Sequence, residues 1–119
     1  MQQTSLLTWN KDYTKISSGS LEAGNIKWFE DGKLNASINC VDRHAARDPS
    51  KVAIIWEGDD PSVCRKITYG ELSLMVQKFA NVLKSLGLSQ GDTVTIYMPM
   101  VPEAAVAMLS CARLGVIHK

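Results

Sequence analysis

Residues 67–87 read ITYGELSLMVQKFANVLKSLG, and the fold is best read outward from this stretch. Thr68 and Glu71 have the spacing of a capping box, in which hydroxyl and carboxylate satisfy orphan amides at a helix start. Ile67 and Leu72 stand where the matching hydrophobic staple is expected. Leu72, Val76, Phe79, Leu83 and Leu86 recur at intervals of three or four, which predicts one apolar stripe. Gly87 is a natural left-handed stop.

Downstream, Thr93 to Met98 alternates apolar Val94, Ile96 and Met98 with Thr95 and Tyr97, the period of a strand. Pro99 ends it. Pro102 suits the first position of a new helix over 102–114, with Glu103 favourable near the positive end. Residues 104–112 (AAVAMLSCA) are apolar or small on every side, so burial all round is expected. Gly115 stops this helix, and Val116-Ile117-His118 reads as a further strand.

Upstream, Val52 to Trp56 is a short apolar run of the kind found in strands buried on both faces. Gly58-Asp59-Asp60-Pro61 turns the chain, and Cys64 to Ile67 returns as a second strand. Asn39 is placed to cap a short helix through about Arg47, ended by Asp48-Pro49. Residues 1–38 sustain no helical or strand period, yet carry Trp9, Tyr13, Trp28 and Phe29. Disordered tails are poor in aromatics, so this is read as an irregular arm packed onto something larger, with a turn at Asp31-Gly32. From Val52 onward the order β, β, α, β, α, β predicts an α/β sheet with crossover helices.

Composition narrows the function class. A formal net charge of +1, with both signs interspersed, gives no basic stripe for nucleic acid or an anionic membrane. Three widely spaced cysteines, Cys40, Cys64 and Cys111, fit reduced thiols in a cytoplasmic protein better than a disulfide framework. The N-terminus lacks the basic start and apolar run of a secretory signal. The stretch from Val101 to Ile117 is interrupted by Glu103 and Arg113 and is short for a membrane span.

Candidate chemistry is sparse. No GxxxxGK[ST] or GxGxxG spacing occurs, so Gly87 and Gly91 are read as turn glycines. Cys40 and His44 stand four apart, but zinc needs four ligands and no second pair exists. Glu57, Asp59 and Asp60 are read as a solvated turn rather than a metal site. Asp42-Arg43-His44 is read as helix surface, with Asp42 paired to Arg43 or Arg47, because consecutive helical residues diverge. His118 lies where α/β folds place ligands, without a visible partner. No catalytic, cofactor-binding or metal residue is assigned.

The words NIKWFEDGKLNASINCVDRHA (25–45), KVAIIWEGDDP (51–61) and GDTVTIYMPMVPEAAVAMLSCARLGVIH (91–118), with 67–87, closely resemble the AMP-forming acetyl-CoA synthetases. The resemblance implies an irregular N-terminal arm of that type over 1–38. Over 39–119 it implies the truncated start of the large α/β domain of adenylate-forming enzymes, the AMP-binding domain. It further implies an acetate–CoA ligase that makes acetyl-CoA from acetate, ATP and CoA through an acetyl-adenylate, using Mg2+. The family's phosphate loop, adenine pocket and mobile lysine lie downstream of the matched part. Lys119 stands where the family usually carries serine. The 119 residues alone are therefore expected to be inactive and to bind none of these cofactors. A propionyl-CoA synthetase and a non-catalytic module docking on a partner protein are the alternatives.

Overall fold

The computed structural model describes residues 6–119, which fall into two compact units, one ending at Asn35 and one running from Ala36 to Lys119.

In the first unit, β1 (Ser17–Ser18) and β2 (Lys27–Trp28) pair antiparallel, with Ser17 opposite Trp28. A bridge joins Lys11 to Lys33. The rings of Trp9, Tyr13 and Phe29 meet at centroid distances of 4.9–5.7 Å, so the aromatic residues of the arm pack on one another. Trp28 stays 62% exposed. The turn at Phe29–Gly32 closes through Gly32 N–H to Phe29 C=O at 2.9 Å. A Cβ at Gly32 would lie 2.7 Å from the Trp9 ring, which is why glycine stands there.

The second unit opens with a helical segment already under way at Ala36 and Ser37. It passes through a π-turn, Ile38–Asp42, into α1 (Arg43–Arg47). Asn39 is therefore not a cap: the backbone before it is already helical (Ser37 φ −63°, ψ −40°), and Asn39 is buried inside the turn. Asp48 leaves the helix in an extended conformation, as a residue before proline should.

β3 (Val52–Glu57) and β4 (Cys64–Thr68) form an antiparallel hairpin with Ile55 opposite Lys66. The turn between them carries Gly58 N–H to Val63 C=O at 2.8 Å. The expectation that Val52–Trp56 is buried on both faces fails. Ile55 is 69% exposed, because α2 and its cluster cover one face of the β3–β4 pair and, among the described residues, nothing covers the other.

α2 (Tyr69–Ser85) begins with the complete capping box. Ile67 and Leu72, the staple, are both buried in one cluster with Val41, Val76 and Val106. Leu83 anchors a second cluster with Cys111 and Val116, and Phe79 packs against both. Leu86 departs from the predicted stripe: it is the C-cap, 73% exposed, beyond the last helical turn. Gly87 follows at φ 86°.

β5 spans only Thr93–Val94 and pairs in parallel with β6 (Ile117–His118). It is much shorter than the alternation suggested. The ladder runs out with its partner, whose last bonds are Lys119 N–H to Val94 C=O and Ile96 N–H to Lys119 C=O. α3 (Pro102–Leu114) crosses between them and ends at Gly115 in the left-handed region, φ 73°. It packs against α2 through Val106, Ala107, Ser110 and Cys111. It is not covered all round, since Met108 is 42% exposed. The strand–helix order predicted from Val52 onward is observed, distributed over two two-stranded sheets, β3–β4 and β5–β6.

Candidate functional site

The parallel β5–α3–β6 unit brings its carboxyl-terminal ends to one side, where open α/β sheets usually receive ligands. The β5–α3 loop, residues 95–101, and His118 lie at that end. The loop is held from the hairpin at two points. The Trp56 indole N–H donates to Met100 C=O at 2.7 Å, and Arg65 pairs with Glu103 in the first turn of α3 at 2.9 Å. That bond to Arg65 holds the Glu103 carboxyl below its ordinary range.

The loop nevertheless shows its largest apolar side chains to solvent: Tyr97 is 100% exposed and Met100 91%. A cleft of about 440 Å³ separates the hairpin tip from the loop, lined by Trp56, Asp59, Asp60 and Met100 among others. Its acidic rim behaves as a solvated turn. Asp60 accepts from Ser62 N–H at 2.9 Å and from its hydroxyl at 2.8 Å, bonds that hold its carboxyl low. A second groove of about 370 Å³ lies between β4 and α2, lined by Lys66, Leu74, Met75 and Lys78 among others.

The residues singled out in the sequence are dispersed. Cys40 is exposed, whereas His44 stacks on Tyr69 with ring centroids 5.0 Å apart. The π-turn advances the chain by an i→i+5 step, so the i, i+4 alignment of an α-helix does not hold across it. Asp42 pairs with Arg113 of α3, whose Nη1 lies 2.9 and 3.0 Å from its two carboxylate oxygens, rather than with Arg43 or Arg47. Arg43 instead donates to Asn39 and His44, each at 3.4 Å. Gly91 has φ 94°, a turn conformation, as expected. His118 is exposed in β6.

Three contacts had no local signal. Trp56–Met100, Arg65–Glu103 and Asp42–Arg113 join residues 44, 38 and 71 positions apart, so no spacing rule reaches them. Among the described residues no group of three or more His, Cys, Asp and Glu could hold a metal ion. These residues do not make a magnesium site. The arrangement can wall a ligand site through the braced loop. Among the described residues no nucleophile, base and oxyanion donor come together at this loop.

Comparison with known proteins places this geometry. The family model described as AMP-binding enzyme matches residues 41–119, and that of the acetyl-coenzyme A synthetase N-terminus matches residues 1–40. The chain is 63% identical over 114 residues to an acetyl-coenzyme A synthetase of Parvibaculum lavamentivorans, covering 94% of this chain and 18% of that protein. It is 58% identical over 113 residues to one from Phycomyces blakesleeanus, covering 95% and 17%. The fold superposes on acetoacetyl-CoA synthetase from Streptomyces lividans with a TM-score of 0.83 and 25% identity, over 99% of this chain and 18% of that one. The chain thus spans about 18% of the length of the relatives it matches.

Proposed function

Because this chain belongs to the AMP-binding enzyme family, we propose that it is the N-terminal portion of an acetate–CoA ligase. In that reaction acetate attacks the α-phosphate of ATP, releasing pyrophosphate and leaving acetyl-adenylate. The CoA thiol then displaces AMP. ATP, supplied with Mg2+, and CoA are the substrates and cofactors of the whole ligase. The observation that carries the reading is the abutment of two family models at residues 40 and 41, the first described as the acetyl-coenzyme A synthetase N-terminus. The names of the relatives favour acetate over propionate.

Within this reading, residues 1–38 are the arm and 39–119 the start of the AMP-binding domain. The compactness break at Asn35/Ala36 and the family boundary at 40/41 support that division. A cytoplasmic location is proposed with it, supported by three free cysteines among the described residues. None of the described helices is long and apolar enough to cross a membrane. No nucleic-acid partner is proposed.

A chimera tests the reading. Residues 1–119 replace the matching segment of the Parvibaculum enzyme, and acetate-dependent ATP–pyrophosphate exchange is measured. Retained exchange is expected, whereas the 119-residue chain alone should give none above a heat-killed control. A folded, soluble chimera without exchange would overturn the proposal.

A further inference from the structure

The two faces of the β3–β4 hairpin differ in chemistry. Residues directly opposite in an antiparallel pair project to the same side, and so do residues two apart along a strand. On one side stand Ile54 opposite Ile67 and Trp56 opposite Arg65, turned to the core, Met100 and Glu103. On the other stand Ile55 opposite Lys66 and Glu57 opposite Cys64, all four exposed. Glu57 and Lys66 form no ion pair or side-chain hydrogen bond among the described residues.

We propose that this open face is an interface with a second copy of the chain. Opposed residues lie roughly 5 Å apart across the pair and about 7 Å apart along it, so the four side chains mark the corners of a small rectangular patch. A two-fold axis in the plane of contact can follow a midline of the patch or a diagonal, and only one of these brings opposite charges together. Along the Ile55–Cys64 diagonal, each Glu57 meets Lys66 of the second copy, twice over. Ile55 and Cys64 then meet their own counterparts. Along the Glu57–Lys66 diagonal, like charges would face each other, which costs affinity. Charge therefore selects the first, an isologous contact in which the two hairpins cross near a right angle, one of the usual ways for sheets to pack. The register irregularity at Val52/Ile54 lies outside the patch.

Association is read without catalysis, so it stands apart from the ligase reading. The test is a dilution series of the full chain by sedimentation velocity. It is joined by cross-linking with a short bis-maleimide in a Cys40→Ser background, where Cys64 is the exposed thiol and Cys111 is buried. A dimer is expected, with a two-chain product that forms through Cys64 and goes no further. Glu57→Lys and Lys66→Glu should each weaken the dimer about tenfold, and the double reversal should restore it. A chain that stays monomeric would overturn the interface. So would association indifferent to the charge reversals, or cross-linking that survives Cys64→Ser. The cross-link in the chain with both charges intact does not depend on how the reversal variants fold.

Discussion

Replacing Thr68 with alanine removes the hydroxyl that closes the start of α2. Three bonds meet at this cap. Thr68 N–H donates to Glu71 Oε2 at 2.8 Å, and the hydroxyl donates to the same oxygen at 2.9 Å. Glu71 N–H donates back to Thr68 Oγ1 at 3.3 Å. Alanine deletes the last two and keeps the first, so Glu71 still covers one amide while its own amide loses its partner. The returning bond is long, which argues for the middle of the usual range, a loss of about 1 kcal/mol. For a unit of this size that corresponds to about 4–8 °C in thermal midpoint. The assay is helical circular dichroism during thermal and urea unfolding, compared with Thr68→Ser, which keeps the hydroxyl and should sit near the original. Equal midpoints for Thr68→Ala and the unsubstituted chain would refute the cap as a source of stability. So would a Thr68→Ser variant as weak as the alanine one.

Ser110 is fully buried, with Oγ 2.7 Å from Val106 C=O and 3.0 Å from Val76 C=O, so one hydroxyl proton serves either helix backbone. Ser110→Ala should cost about 1 kcal/mol and Ser110→Val, which overfills the site, about 1–3 kcal/mol, both read as urea midpoints. Burial excludes Cys111 from solvent and pushes its thiol up, while Cys40 and Cys64 are exposed. On chain diluted to the monomer, maleimide labelling followed by intact-mass measurement should add two adducts to the native fold and the third only after denaturation. Glu71 is held low chiefly by the Thr68 amide, and Glu103 chiefly by its hydrogen bond from Arg65. Their folded pKa values lie below the unfolded ones, so the stability they contribute is present above the ordinary carboxylate range, about pH 4. It is lost as pH falls through the lowered values. Urea midpoints should drop between pH 6 and about pH 3, and Glu103→Gln should flatten part of that drop.

The elements legible in the sequence were those set by local chemistry. The capping box, Gly87, Pro102 and Gly115 each act within a few residues, and each stands where it was expected. What failed depended on neighbours. Val52–Trp56 reads as doubly buried because apolarity says nothing about whether a second layer covers its other face. Leu86 continues the stripe in sequence but lies past the turn that would have carried it inward. Asn39 has the chemistry of a cap, yet the helix starts before it and passes through a π-turn that no periodicity announced. At the candidate site, the loop's position could be read from the strand–helix pattern. Its braces could not, because Trp56 and Arg65 find their partners only once the hairpin stands beside α3.

The pairing of Asp42 with Arg113 also orders events in time. On a ribosome adding about 5–20 residues per second, the 71 positions between them take roughly 4–14 s to synthesise. The π-turn carrying Asp42 emerges long before its cation exists. Within that interval, once their residues are made, the β3–β4 hairpin and then α2 can form in microseconds. The start of this unit therefore waits on its end, and a pause in translation between Asp42 and Arg113 lengthens the time its carboxylate stands without that partner.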